Sequence, residues 1–421
     1  MKIALILTVF TAVLPLSAQM TKNKDPLAVH NSALVIDTHA DTTQRMLDEG
    51  YDLTEPLKGG YVNFESARKG NLGAEFFSIW VDPAAYPAGH EARRTLELID
   101  AVYQQAAKHP DQMRMAFSPE DILAAHREHK LAALMGIEGG HSIENSLGLL
   151  RDYYRLGVRY MTLTWMNSNG WADSSGDIDD PKVPHTKDGL SDFGKDVVYE
   201  MNRLGMMVDV SHVSDKTFYR TLIISRAPVI ASHSSARALC HSPRNMDDNM
   251  LRAIGQYGGI VMVNFYSSFL SDDYRLAAKA QQPAIDQAVA EATAKLKAEG
   301  KPVPNELAEQ IGKSYMAKIP RPPFSVLIDH IDHIAKIAGI DHVGLGSDFD
   351  GIPSSPEGMD SAADLPKITE ALMARGYSAE DVQKILGGNF LQVFAKVEEV
   401  AKQLQSESRP RITEKQPFEK K

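Results

Sequence analysis

Short β-rich runs, each followed by a longer stretch with apolar residues at helical spacing, recur about eight times along this chain, and this alternation limits its fold more than any other feature. The runs are Ala33–Asp37, Ala74–Trp80, Leu131–Ile137, Arg159–Thr164, Met206–Ser211, Pro228–Ser232, Gly259–Phe265 and His342–Ser347. Helix-like segments between them include Glu91–Lys108, Pro119–His129, Leu147–Leu156, Ser191–Leu204, Asp215–Ser225 and Asp248–Gln256. Ser118-Pro119-Glu120-Asp121 and Ser214-Asp215 read as helix starts, a capping hydroxyl ahead of acidic residues. Several runs are continuously apolar, as parallel strands covered on both faces are. The expectation is an α/β chain folded as a closed (β/α)8 TIM barrel rather than an open doubly wound sheet. A length of 421 residues with 43% hydrophobic content suits an elaborated barrel with a large core.

The ends of the chain read differently from its middle. Met1-Lys2, the uncharged apolar run Ile3 to Leu16 and the small residues Ser17-Ala18-Gln19 have the order of a secretory signal peptide, and the apolar run is short for a membrane span. The domain expectation is a signal peptide at 1–19, a barrel domain at 20–405 and a charged, disordered tail at 406–421. The chain would then be exported, periplasmic or secreted, with no stable membrane anchor once the signal is cleaved. Its single cysteine, Cys240, cannot form an internal disulfide and reads as a small buried apolar residue. A formal charge of -10 leaves no basic field to neutralise phosphates, which argues against a nucleic-acid partner. Between the seventh and eighth runs the chain is long, from Ser267 to Asp341. Helical spacing over Ala284 to Glu299 and Asn305 to Lys318 predicts a helical hairpin overhanging the rim, as a lid, an oligomer contact or a structural insertion.

In such barrels chemistry sits where the strands end, and the polar residues of this chain gather there. The first run ends Asp37-Thr38-His39-Ala40-Asp41, with His39 and Asp41 two positions apart and so able to share a face. The third ends at Glu138-Gly139-Gly140-His141, the fifth at Ser211-His212, the sixth at Ser232-His233-Ser234 and the eighth at Ser347-Asp348-Phe349-Asp350. His39, Asp41, Glu138, His212, His233 and Asp348 make three imidazoles and three carboxylates at one rim. Charges crowded there repel unless a cation sits among them. Six donors exceed the needs of one tetrahedral zinc and suit two ions sharing a carboxylate, with Glu138 as the natural bridge.

Over nearly its whole length the chain resembles the membrane (renal) dipeptidase family, peptidase family M19. The matching stretches are Val35–Asp41, Gly136–His141, Met161–Asp173, Asp209–Ser214, Arg226–Ser235, Val261–Tyr266 and Gly344–Gly351, in order. The resemblance implies two Zn2+ ions per subunit, one on His39, Asp41, Glu138 and Asp348 and the other on Glu138, His212 and His233. It implies a dipeptide substrate, including dipeptides with a C-terminal D-residue, opened by a hydroxide held between the ions. Asp348 would then be general base and acid, with Glu138 the other catalytic residue. Arg244, where the family has a substrate-contacting arginine, would pair with the substrate carboxylate. Two departures bear on substrate range. Trp165 stands where family members carry a histidine that steadies the oxyanion, so Trp165 is expected to line the pocket and Asn167 or Asn169 to replace the lost donor. Phe269 stands where some relatives have a substrate-facing tyrosine, leaving Tyr266 or Arg244 to compensate. A homodimer is a further expectation. The alternatives are an amidohydrolase acting on acylated amino acids or cyclic amides, which usually shows a His-x-His pair and a lysine bridge, and a metal-binding barrel without turnover.

Overall fold

The computed structural model describes residues 25–411 apart from 87, 187, 305 and 306, together with the backbone but not the side chain of 309. Nine parallel strands form one sheet: β1 Val35–Ala40, β2 Leu72–Trp80, β3 Met113–Met115, β4 Leu131–Glu138, β5 Val158–Thr162, β6 Met207–Asp209, β7 Val229–Ala231, β8 Ile260–Val263 and β9 Val343–Leu345. Their order is β2-β1-β9-β8-β7-β6-β5-β4-β3, and an additional pairing of β2 with β4 closes the sheet into an eight-stranded barrel. That seam runs in continuous register from Ala74 opposite Ala132 to Trp80 opposite Glu138. The eight expected strands are the eight barrel strands. The extra one, β3, pairs Met113, Arg114 and Met115 with Leu131, Ala132 and Ala133 at the start of β4, before β5 joins that strand at Met135. Three residues with an arginine at the centre carry no periodic signal, so β3 is set by its neighbour and not by its own sequence.

Helices cover the outside. Glu91–Lys108, Pro119–Arg127, Leu147–Arg155, Asp192–Leu204, Asp215–Ile224, Asp248–Gln256 and Ser325–Ala338 each precede or follow a barrel strand. The predicted caps hold: Ser118 Oγ accepts the Asp121 N–H at 3.1 Å and Ser214 Oγ accepts that of Thr217 at 3.2 Å. Inside the barrel, Ile36, Phe76, Leu134, Tyr160, Met207, Ile230, Ile260 and Met262 come from seven strands and pack on one another and on Phe390 and Phe394 of the C-terminal helix Asn389–Glu407. The barrel is thus a packed core with one end plugged by a helix, and its polar chemistry is confined to the other end. Cys240 is buried as a free thiol.

The segment between β8 and β9, the seventh and eighth barrel strands, is a helical insertion. Its helices Asp272–Ala298 and Leu307–Met316 pack through Tyr274, Ala278, Ile285, Met316 and Ile319. The first helix starts twelve residues earlier than expected because it runs through Pro283 (expected at Ala284, found at Asp272). Pro283 is exposed, so the carbonyl it frees faces water and the helix continues. At the C-terminus the last helix reaches Glu407, and Arg411 stays against the body: its N–H meets Glu200 at 3.4 Å and its guanidinium lies 4.6 Å over Tyr199. The expected disordered tail is therefore ordered over 406–411. Residues 412–421 and the expected signal peptide at 1–19 lie outside the described residues. Among the described residues no helix is long and apolar enough to cross a membrane.

Because Phe394 is fully buried where the helix plugs the barrel, Phe394→Ala should lower unfolding stability by about 3–5 kcal/mol. The check is the denaturant midpoint; an unchanged midpoint would mean that the plug bears no load.

Candidate metal centre

All six donors predicted from the strand ends converge on one place. His39 leaves β1 where the register with β2 shifts, between Asp37 and Ala40. Its neighbour Asp41 follows at the start of the helix Thr42–Asp48 and makes no side-chain cap there, which leaves its carboxylate free to face the barrel mouth. Two backbone bonds fasten this corner to the loop after β9: Asp41 N–H to Phe349 O at 2.7 Å and Asp348 N–H to His39 O at 2.9 Å. Glu138 ends β4, and His212 and His233 follow β6 and β7. His212 and Asp348 both have left-handed backbone, φ of 65° and 63°, which a residue with a Cβ adopts only where the surroundings hold it.

Glu138 is the centre of the arrangement. Its Oε2 lies 3.5 Å from His39 Nε2, and its Oε1 lies 2.8 Å from His212 Nε2 and 3.3 Å from His233 Nε2. Each oxygen of one carboxylate therefore faces a different set of donors. On the first side, His39 Nε2 is 3.6 Å from Asp41 Oδ2 and 4.0 Å from Asp348 Oδ1. On the second, the Nε2 atoms of His212 and His233 are 2.9 Å apart. The donor atoms of His39, Glu138 and His233, and those of His39, Asp41 and Asp348, each fall within 4.8 Å of one another. Asp350, two residues further on, faces away and accepts from Thr42 Oγ1 and the Tyr61 N–H.

The charges are placed unfavourably for an empty cavity in a protein interior. Burial, reinforced by the Glu138 charge, raises the carboxyl of Asp41, and burial with Asp41 and Glu138 nearby raises that of Asp348. Burial would do the same to Glu138, but His39, His212 and His233 hold it well below the usual carboxylate range. Burial with Arg244 nearby pushes His212 down to about 3, and burial with His39 nearby pushes His233 well below its ordinary value, so both present neutral imidazoles. His39 Nε2 and Asp41 Oδ1 are buried without any hydrogen-bond partner. Unpartnered nitrogen and oxygen lone pairs pointing into a shared space, with crowded carboxylates, are what a divalent cation would satisfy, and the mixed N/O set suits zinc, cobalt or manganese.

The predicted substrate residues are near this centre but differ in what they can offer. Arg244 is buried; its Nη2 donates to the His233 carbonyl at 3.2 Å, while Nε and Nη1 have no partner. Burial depresses it to about 10, against the opposing pull of Asp348 and Glu138. Its guanidinium lies 5.2 Å over the Phe269 ring, which accounts for an apolar residue at that position. Tyr266 packs on Phe269 at 4.9 Å, and its N–H donates to Asn264. Trp165 is half-buried, 4.9 Å from the Trp80 ring and 6.4 Å from that of His212. Of the two asparagines expected to replace a lost donor, Asn169 is spent on its own loop, donating to Leu163 O and accepting from Trp171 and Ala172. Asn167 keeps a buried, unpartnered Oδ1. Sequence reasoning missed Asn264, whose Nδ2 donates to Asp348 Oδ2 at 2.8 Å, and Tyr160, whose hydroxyl is 2.7 Å from His39 Nδ1. The available signal for Asn264 was a polar residue directly after the apolar run of β8.

With this geometry in view, the likeness to known proteins is specific. The sequence model of the membrane dipeptidase family, peptidase family M19, matches residues 24–408. Dipeptidase tcpJ of Claviceps purpurea (strain 20.1) is 35% identical over 365 residues, 84% of this chain and 73% of its own length. The probable dipeptidase PvdM from Pseudomonas aeruginosa superposes with a TM-score of 0.75 at 25% identity, over 89% of this chain and 98% of that one. A metallo peptidase from Rhodobacter sphaeroides, solved with a phosphinate mimic of the dipeptide L-Ala-D-Ala, shares the fold with a TM-score of 0.70 at 24% identity, over 87% and 99%. A family match over nearly all of the described residues, joined to a buried cluster of metal donors, makes the conclusion direct: the chain belongs to the membrane dipeptidase family, peptidase family M19, and is a metal-dependent dipeptidase.

Proposed function

We propose that the protein is a binuclear zinc dipeptidase in which Glu138 is shared between the two ions. The observation that carries this reading is the division of labour at Glu138, one oxygen toward His39 and the other toward His212 and His233. His39, Asp41, Glu138 and Asp348 would hold one ion, and Glu138, His212 and His233 the other. The pair, when bound, supplies Lewis acidity and a hydroxide-like water near neutral pH, without a serine or cysteine nucleophile.

Asp348 takes the proton of the attacking water and returns it to the leaving amine; Asn264 holds one of its oxygens and leaves the other facing the centre. Arg244 offers the unpartnered N–H groups of Nε and Nη1 to the terminal carboxylate of the substrate, a charge-assisted hydrogen bond. Trp165 has one indole N–H and no titrating proton, so it shapes the pocket and takes no part in proton transfer, and Tyr266 packs on Phe269 beside Arg244. The substrate class extends to dipeptides with a C-terminal D-residue, the configuration in the mimic bound by the Rhodobacter sphaeroides protein. The signal-like order of residues 1–19 supports export to the periplasm or beyond.

Purified protein should contain two zinc ions per chain and hydrolyse Gly-D-Ala and Ala-Ala, with turnover abolished by a chelator and restored by zinc. Bound zinc without dipeptide turnover would sink the catalytic reading. Glu138→Gln should lose both ions together, because the shared donor serves both; metal analysis showing two ions retained would remove the bridge. Asp348→Asn should lower kcat by about 10²–10⁴-fold with little change in KM. Metal content is measured alongside, and unchanged kcat with metals retained would take proton transfer away from Asp348.

A further inference from the structure

Two of the three histidines at the centre rest their outer ring nitrogen on a hydroxyl that has a second acceptor within reach. Ser232 Oγ lies 2.8 Å from His233 Nδ1 and donates to Asp209 Oδ2 at 2.6 Å. Asp209 is fully buried and saturated with donors: its Oδ1 accepts the N–H groups of Ser211 at 3.0 Å and Ser232 at 2.9 Å, and its Oδ2 also accepts the Thr162 hydroxyl at 2.5 Å. An ionised carboxylate only accepts hydrogen bonds. The Ser232 hydrogen must therefore point at Asp209, which leaves only an oxygen lone pair for His233. That lone pair fixes the imidazole proton on Nδ1 and the free nitrogen lone pair on Nε2, the atom that faces Glu138 Oε1.

Tyr160 repeats the logic for His39. Its hydroxyl lies 3.1 Å from the Thr38 carbonyl, which only accepts, and 2.7 Å from His39 Nδ1; with its hydrogen on the carbonyl it accepts from Nδ1, and Nε2 is the ring nitrogen that faces the carboxylates. The ring reaches that position only because residue 136 is glycine; a Cβ there would lie 1.9 Å from the tyrosine Cζ. His212 differs from both: its Nδ1 is buried with no partner. A serine precedes each of the histidines at 212 and 233, and only the second makes this bond.

We propose that Asp209 and Ser232 are positioning residues, a carboxylate–hydroxyl relay that fixes the tautomer of His233 for cation binding, with Tyr160 serving His39 in the same way. The proposal rests on the reading of His233 as a metal donor. Outer partners of this kind typically tune metal affinity by about 10- to 100-fold.

Asp209→Asn tests the polarity of the relay without changing its shape. The amide oxygen must stay on the two backbone N–H groups, so the NH2 group faces the hydroxyls, Ser232 turns to donate to His233 Nδ1, and the ring proton moves to Nε2. In metal-free protein with 15N-labelled histidine, the parent should show His233 protonated on Nδ1 and Asp209→Asn should show it on Nε2. Zinc affinity, read by competition with a chelator, should fall by about 10- to 100-fold. Ser232→Ala should also weaken zinc binding and Ser232→Thr should restore it, a contrast that keeps the test alive if Asp209→Asn does not fold. Parental tautomer and parental affinity in Asp209→Asn, or equal affinity in Ser232→Ala and Ser232→Thr, would overturn the relay. A parent that binds no zinc would overturn the reading beneath it, whereas a parent that binds zinc beside an equally competent Asp209→Asn overturns the relay alone.

Discussion

Burying Asp41, Glu138 and Asp348 within reach of three imidazoles is the constraint from which the rest of this structure follows. A lone carboxylate removed from water is expensive, and several together repel. The chain does not disperse this cost by hydrogen bonding every atom: His39 Nε2, Asp41 Oδ1, His212 Nδ1 and two nitrogens of Arg244 are left with no partner. Unpartnered polar atoms gathered at one barrel mouth separate a binding site from an ordinary buried polar cluster. Around it the backbone accepts conformations that a residue with a side chain seldom adopts, at His212 and Asp348, and two main-chain bonds sew the end of β1 to the loop after β9. The barrel supplies the rigidity: β2 and β4 are paired along seven residues right up to Trp80 and Glu138, so Glu138 stands at the end of a continuously paired stretch of the wall.

The donors were legible in the sequence because each breaks an apolar run at its C-terminal end, and the alternation of strands and helices says that such ends meet. Glu138 could be recognised as a candidate bridge from the glycines that flank it at the end of the third run. The partners that orient the donors were not legible. Tyr160 looks like one more large residue of a buried strand, and its role exists only because Gly136, a neighbour across the sheet, leaves room for its ring. Asp209 ends the short strand β6, and its four donors come from Thr162 at the end of β5 and from Ser211 and Ser232 just beyond β6 and β7. Contacts of this kind depend on register between strands far apart in sequence, and no local pattern encodes register.

The same distinction explains where the reading of elements stopped short. β3 is three residues without periodicity, and it forms because the start of β4 has a free edge. The insertion helix extends past the expected start at Ala284 and through Pro283, a residue that usually ends a helix; here it is exposed and the carbonyl it frees faces water. Arg411 looked like part of a solvated tail, yet Tyr199, Glu200 and Asp196 on one helix form a seat for it. In the pocket, Asn169 had the right chemistry for a replacement donor, but the loop that carries it consumes its amide.

The donors are delivered by strands from the first to the last of the barrel, and that dispersal has a consequence for assembly. No strand end holds more than two of them, His39 with Asp41, so a short stretch of chain has little grip on a cation. Loading is strongest once the ring has closed. The free energy of loading then accrues above all to the finished barrel and deepens its well relative to incomplete states, by an amount set by how far the free ion concentration exceeds the dissociation constant.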